Sequence, residues 1–348
     1  MTIKVLVVDD SALIRNLLGE IVKSESDMQL VGAAPDAYVA KKMVQEHNPD
    51  VITLDIEMPK VDGLRFLDVL MKARPTPVVM ISTLTEAGAD ATIRSLELGA
   101  VDFIPKPKLG VVQGIEEYRE LILSKIRMAA RSRVRQQKPA TVKATTALTY
   151  SSTEKIIAIG ASTGGTEAIK TIVSALPANA PATVITQHMP PGYTSTFAKR
   201  LDACSQLKIV EARGDERLLP GHGYLAPGDK HMEIIRSGAD YRIRLNDGPR
   251  VSGHKPSVDM MFTSLVESAG SNVVASLLTG MGKDGADGLL ALKEKGAFTI
   301  CQNEDTCVVY GMPKVAVSLG AAEKILPLEN IAQAMVSQLE KMKAGSRL

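Results

Sequence analysis

The sequence predicts an α/β protein of two doubly wound parallel-sheet domains, an N-terminal (βα)5 unit and a C-terminal α/β unit with a β-hairpin, joined by a linker. Three observations carry that expectation. The chain has 348 residues, more than one ordinary domain of roughly 150 residues holds. Short β-rich apolar runs alternate with amphipathic helical stretches in both halves, and parallel strand neighbours need such crossover connections. Between the halves no acidic residue occurs from 121 to 153, whereas Lys125, Arg127, Arg131, Arg133, Arg135, Lys138 and Lys143 are basic. After Gln136 this stretch turns to Thr, Ala and Ser with Pro139, too few apolar side chains to offset the entropy of ordering. Domains are therefore expected at 1–122 and 153–345, with a basic linker over 123–152.

Taken in order, strands are expected at 4–8, 28–33, 51–54, 77–82 and 101–104, where β-branched and apolar residues cluster. Helical spacing fills 11–24, 37–46, 63–73 and 87–98, and 115–130 closes the first unit as a helix. In the second unit an apolar strand at 156–160 leads through a turn into a helix at 167–176. A strand at 183–188 and a helix at 195–201 follow. Residues 208–253 read differently. Alternation at 232–236 and 241–245, with turns at Pro220-Gly221, Pro227-Gly228 and Asp247-Gly248, predicts a β-hairpin-rich insertion. Buried strands return at 273–278 and 297–301, and a helix at 328–343 ends the pattern.

Composition excludes several classes. Hydrophobic residues at 45% and charged residues at 23% are ordinary for a globular chain. Apolar runs are strand-sized, so no direct membrane insertion is expected. The first one ends in Asp9-Asp10, unlike an export signal, which predicts a cytoplasmic protein. A net charge of +2 and the absence of Trp argue against nucleic acid as a partner. Three cysteines without a CxxC pair are expected to be small buried hydrophobes.

Two constellations carry chemistry. In the first unit Asp9 and Asp10 follow the first strand, Asp55 follows the third, Ser82 ends the fourth and Lys106 follows the fifth. Residues just past the carboxyl ends of neighbouring parallel strands converge in one crevice. Three carboxylates there repel one another unless a cation lies between them, and hard oxygen donors suit Mg²⁺. A hydroxyl and a lysine on the same edge are what a phosphoryl group on one carboxylate requires. Taken singly, Asp10 or Ser11 could instead cap the next helix.

In the second unit Gly160-Ala-Ser162-Thr-Gly164-Gly165 lies between a strand and a helix. That turn exposes a serine at a helix N-terminus, where backbone N–H groups stabilise an oxyanion. The next strand ends in Gln187-His188, and 273–278 runs into Thr279-Gly-Met-Gly-Lys-Asp284-Gly-Ala-Asp287. Nucleophile, base and orienting acid on three strand ends follow triad logic, with Asp284 and Asp287 both open as the acid. A dinucleotide loop would want an acidic residue where His188 stands, and no Gly-Lys-Ser/Thr of a P-loop occurs. His222, His231 and His254 lie in the turn-rich segment without zinc spacing, and surface or turn roles are expected for them.

The first 122 residues closely resemble the receiver domain of two-component response regulators, most specifically in Asp55-Ile-Glu-Met-Pro-Lys-Val-Asp62-Gly63. The resemblance implies phosphorylation of Asp55 by a chemotaxis histidine kinase, Mg²⁺ held by Asp9, Asp10 and Asp55, phosphate sensing by Ser82 and Lys106, and an aromatic switch at Phe103. Residues 153–345 resemble the catalytic domain of the chemotaxis protein-glutamate methylesterases. Gly-Ala-Ser162-Thr-Gly-Gly, Thr-Gln-His188-Met-Pro-Pro, Ala226-Pro-Gly-Asp-Lys-His231 and Thr279-Gly-Met-Gly-Lys-Asp284-Gly carry that match. By motif, Ser162 is then the nucleophile, His188 the base, Asp284 its partner, and the Met281 backbone N–H an oxyanion donor. Also implied are methyl-accepting chemoreceptors as substrate, methanol release, glutamine deamidation, no cofactor for ester hydrolysis, a monomer, and inhibition by the receiver until Asp55 is phosphorylated. A transcription factor or a non-catalytic adaptor would share the receiver but not the Ser, His and Asp strand ends.

Overall fold

The computed structural model describes residues 2–83, 85–106, 115–134, 145, 147–149 and 154–344. The chain divides into two compact units, Met1–Lys138 and Pro139–Leu348.

In the first unit β1 (Ile3–Val8), α1 (Ala12–Lys23), β2 (Met28–Ala34), α2 (Ala37–His47), β3 (Val51–Asp55), α3 (Gly63–Ala73), β4 (Val78–Ser82), α4 (Glu86–Glu97), β5 (Asp102–Pro105) and α5 (Ile115–Ala130) alternate. The strands form one parallel sheet in the order β2-β1-β3-β4-β5. Helices cover both faces, which is why β3 and β4 are buried at every position. Helix starts are set by short polar side chains. Ser11, Asp36 and Asp62 each accept a first-turn N–H of α1, α2 and α3. Ser11 is thus the cap of α1, and Asp10 is left for the sheet edge.

Residues 123–130, which charge alone assigns to the linker, are the last turns of α5, with Leu123, Ile126 and Ala129 buried on this unit. Their cations answer acids brought from elsewhere in the unit: Lys125 pairs with Asp102 at 2.7 Å, and Arg127 with Glu25 and Asp27 at 2.7 and 2.8 Å. Sequence-local charge counting misses such pairs. Thr145, also within the expected linker, lies on the second unit, its N–H and Oγ1 donating to Ala175 O at 3.0 and 2.6 Å. Arg135, Lys138 and Lys143 lie outside the described residues.

The second unit contains β6 (Ile156–Ala161), α6 (Gly165–Ala175), β7 (Ala182–Gln187), α7 (Thr194–Cys204), β8 (Lys208–Glu211), β9 (His222–Leu225), β10 (His231–Ser237), β11 (Asp240–Asn246), α8 (Val258–Ser268), β12 (Val273–Leu277), α9 (Ala286–Glu294), β13 (Phe298–Gln302), α10 (Met312–Ser318), β14 (Lys324–Leu326) and α11 (Leu328–Ala344). Seven parallel strands run β14-β13-β12-β6-β7-β9-β8. The insertion is smaller than expected. Only β10 and β11 form an antiparallel hairpin, while β8 and β9 add to the main sheet in parallel. At four residues each, these strands are too short to show a period in sequence.

From β6 the chain moves to β7 on one side, and it later returns through β12 on the other. The carboxyl ends of β6 and β12 therefore flank the switch point of the sheet, where open α/β sheets bind ligands. Cys301 and Cys307 are buried and Cys204 is half-buried, and none of the three forms a disulfide. Among the described residues no helix is long and apolar enough to cross a membrane.

Candidate active site

Ser162 and His188 each stand one residue past the registered pair Ala161↔Gln187 at the ends of β6 and β7. Adjacent strands lie about 4.8 Å apart and registered side chains share a face, so the two residues are neighbours by topology. Three bonds fasten them. His188 N–H donates to Ala161 O at 3.1 Å, and Gln187 Nε2 donates to Ser162 O at 2.8 Å and to His188 O at 3.1 Å.

The third strand end closes in from the other side. Ser162 N–H donates to Thr279 O at 3.0 Å. A β-carbon on Gly280 would come within 2.7 Å of Ser162 Cβ and 2.3 Å of Met312 Sδ, so only glycine lets this loop pack so closely. Gly164 is the other required glycine: its φ is +76° and a β-carbon there would meet Val308 at 2.6 Å. Packing on this scale leaves Ser162 only 9% exposed, more buried than a serine in a strand-to-helix turn is expected to be. The amide after Gly280, that of Met281, donates to no group among the described residues, although the Met281 side chain is 44% exposed. An unspent N–H beside the serine is what an oxyanion donor must be.

Asp284 is fully buried and is brought to His188, whereas Asp287 is exposed on the first turn of α9. His188 Nε2 lies 2.7 Å from Asp284 Oδ2. Three further donors reach the same carboxylate from the start of α8: Ser257 Oγ at 2.7 Å and Val258 N–H at 2.6 Å, with Asp259 N–H at 3.2 Å. Burial pushes the Asp284 carboxyl up, but the hydrogen bond and charge of His188, then Ser257 and Val258, hold it down to about 2. Next to it, burial foremost and the Asp284 charge push the Asp259 carboxyl above its usual range. A carboxylate can only accept, so Nε2 carries the imidazole proton and Nδ1 keeps the lone pair. Nδ1 is buried and has no hydrogen-bond partner.

The expected meeting of all three side chains is therefore only partly made. Among the described residues no hydrogen bond joins the Ser162 hydroxyl to His188, and the free basic atom is Nδ1. The structure also adds residues to which the sequence reading gave no role in the site. The His254 ring stacks on His188 with centroids 3.7 Å apart and planes 11° from parallel. His231, expected at a surface or turn, is fully buried at the start of β10. Nothing in the local sequence distinguishes a buried histidine from an exposed one in a turn-rich segment.

At the edge of the first sheet, Asp9, Asp10 and Asp55 offer carboxylate oxygens within 4.8 Å of one another. Lys106 Nζ reaches Asp55 Oδ2 at 2.7 Å and Asp9 Oδ2 at 3.5 Å. Asp9 Oδ2 is buried and accepts no hydrogen bond. Burial raises the pKa of Asp55 to about 6 and that of Asp9 above its usual value, in both cases against the pull of Lys106. Three acids against one lysine, which reaches Asp9 Oδ2 only at 3.5 Å, fit a hard divalent cation. The Ser82 hydroxyl bonds elsewhere, to Thr92 Oγ1 at 2.5 Å and Gly88 O at 3.4 Å, and among the described residues no hydrogen bond joins it to Asp55. Phe103 is buried, and Lys125 Nζ lies 6.0 Å from its ring centroid.

A pH dependence follows from these shifts. The folded Asp55 pKa lies above its unfolded value, so ionising it costs stability at and above pH ~6, and that cost is relieved as pH falls. A dication needs the ionised carboxylates. At about ten times its dissociation constant it adds about 1.4 kcal/mol. Calorimetry with MgCl₂ is expected to raise the first unit's Tm at about pH 7.5 and much less at about pH 5, and Asp55→Asn is expected to abolish the difference.

Two family models match the chain: CheB methylesterase over residues 157–335 and response regulator receiver domain over residues 5–111. The chain is 58% identical over 349 residues, the whole of both chains, to a Pseudomonas aeruginosa protein named protein-glutamate methylesterase/protein-glutamine glutaminase 2. It is 52% identical over 350 residues, 99% of each chain, to the Salmonella typhimurium protein-glutamate methylesterase/protein-glutamine glutaminase. Among solved structures, the Thermotoga maritima CheB methylesterase catalytic domain matches 54% of this chain and 100% of its own, with 37% identity and a TM-score of 0.53. The chain belongs to the CheB methylesterase family, in the form that begins with a response regulator receiver domain.

Proposed function

We propose that this chain hydrolyses glutamate methyl esters on chemoreceptors, releasing methanol, and deamidates receptor glutamines by the same acyl transfer, with ammonia as the leaving group. The observation that carries the reading is the buried imidazole whose Nε2–H is spent on Asp284 while Nδ1 is left basic and unpartnered. In this mechanism the Ser162 hydroxyl attacks the ester carbonyl as His188 Nδ1 takes its proton. The Nδ1–Oγ bond is one the free chain does not make; engagement of substrate forms it. The Met281 N–H meets the developing oxyanion, an interaction worth about 3–4 kcal/mol in acyl transfer. Asp284 stabilises the imidazolium, which then protonates departing methanol. Water, deprotonated in turn by His188, releases the carboxylate and restores the serine.

Control resides in the first unit. A chemotaxis histidine kinase is the phosphodonor for Asp55, and Asp9, Asp10 and Asp55 hold the Mg²⁺ that this transfer needs. On the phosphorylated chain Lys106 neutralises the added charge, and the Ser82 hydroxyl leaves Thr92 to reach the phosphoryl group. The receiver restrains the esterase until then. The chain acts in the cytoplasm, as a monomer, without nucleic acid. Methanol release from methylated receptor membranes, with and without a small-molecule phosphodonor, tests the reading. The phosphodonor is expected to raise the rate of the unsubstituted chain and to leave that of Asp55→Asn unchanged. Absence of methanol under both conditions would refute the assignment.

A further inference from the structure

The hairpin inserted between β9 and α8 has no part in the reaction as described, yet its first residue reaches the triad. His231 Nε2 lies 2.9 Å from Pro249 O, and its Nδ1 lies 3.2 Å from the backbone nitrogen of Ser257. A carbonyl only accepts, so Nε2–H is the donor; Nδ1 then accepts the Ser257 N–H, and the ring is neutral. Ser257 in turn donates its hydroxyl to Asp284 Oδ1 at 2.7 Å and accepts Met260 N–H at 3.3 Å as the cap of α8. His231, Ser257 and Asp284 are all fully buried. One unbroken chain of bonds thus runs from the hairpin through His231, Ser257 and Asp284 to His188.

We propose that Ser257 and His231 are positioning residues of the esterase, and that the β10–β11 hairpin is the buttress that supplies one of them. This rests on the triad reading given above. Oδ2 of Asp284 must face His188. Ser257 gives Oδ1 its shorter bond, 2.7 Å against 3.2 Å from the Asp259 N–H, and so holds the other oxygen toward Nε2. Histidine at 231 provides a donor on one edge and an acceptor on the other, fixing both the Ser257 backbone and the Pro249 loop. A protonated ring would turn an N–H against the Ser257 N–H and break that support. Ser257 also withdraws charge from Asp284 and so moderates its pull on the imidazolium.

Ser257→Ala is expected to lower kcat for methanol release about ten- to hundredfold, the effect of losing a hydrogen bond to a charged group, with KM little changed. The acid limb of the kcat/KM–pH profile is expected to move to higher pH. Without the Ser257 donor, Asp284 holds the His188 imidazolium more strongly, and neutral base forms later. The other titratable groups on elements packed around Asp284 are His254 stacked on His188, Asp259 on α8, His231 on β10, and the exposed Lys283 and Asp287 on its own segment; the substitution removes none of them. His231→Phe, which keeps the ring shape but no bond, is expected to lower kcat in the same direction.

Ser162→Ala separates the two readings. If it is inactive while Ser257→Ala keeps the unsubstituted kcat and limb, the positioning role is wrong and the triad stands. If Ser162→Ala is active, the triad itself is wrong. A fall in kcat with an unmoved limb would mark a loss of packing only and would also overturn the proposal. Should His231→Phe fail to fold, ¹⁵N NMR of the five histidines in the unsubstituted chain still decides. His231 is expected as the Nε2–H tautomer in the folded chain. A cationic or Nδ1–H ring would refute its assigned place.

Discussion

Replacing Ser162 by alanine is expected to reduce methanol release by roughly four to six orders of magnitude, the loss seen when the nucleophile is removed from a serine hydrolase. Thermal stability is expected to stay nearly constant, for a structural reason. The Ser162 hydroxyl has no hydrogen-bond partner among the described residues, while its backbone N–H and C=O are anchored to Thr279, Gly165 and Gln187. Removing the oxygen therefore orphans no buried group. Rate and Tm measured on one preparation distinguish the outcomes. A variant with appreciable turnover would mean that another group attacks the ester. A variant destabilised by several °C would mean that the hydroxyl serves the fold.

Asp284→Asn carries the second large effect, a fall in kcat of roughly 10⁴-fold. The carboxylate receives four donors: the His188 imidazole, the Ser257 hydroxyl and the amides of Val258 and Asp259. An amide side chain has only one accepting atom, so its NH₂ must face one side of that set. If it faces His188, Nε2 becomes the acceptor and the proton moves to Nδ1, the atom that has to take the serine proton. If it stands in place of Oδ1, it meets the Ser257 hydroxyl and the Asp259 N–H, from neither of which it can accept. Neither arrangement preserves both base and fold. The charge also sets a pH range. Because the folded Asp284 pKa is depressed, its contribution to stability is fully present above the unfolded value near 4 and is lost as pH falls through about 2. Acid denaturation is therefore expected to shift to higher pH in Asp284→Asn, measurable by circular dichroism.

Much of the fold was legible because its signals are local. Apolar runs such as 156–160 have no polar face, and in a parallel sheet with both sides covered they need none. Helix starts were legible where a short polar residue precedes the amphipathic stretch, as at Ser11 and Asp62. The strands β8 and β9 were not legible, since four-residue strands joining a sheet in parallel leave no alternation to read. The basic stretch misled at Lys125 and Arg127, whose acidic partners Asp102, Glu25 and Asp27 lie far back in the chain.

For the candidate site, the sequence by itself determined which residue types stand at the strand ends: the serine after β6, the histidine after β7, the acids and glycines after β12, and the carboxylates of the first sheet. Strand period and turn chemistry place such residues from a few neighbours each. Only the tertiary structure brought Asp284 to His188 and left Asp287 exposed, left Nδ1 rather than Nε2 as the free atom of His188, and drew His254, His231 and Ser257 into the network. Those outcomes depend on burial and on hydrogen-bond partners brought together by sheet order. A donor's worth is set by what folding places opposite it, and that pairing has no period along the chain.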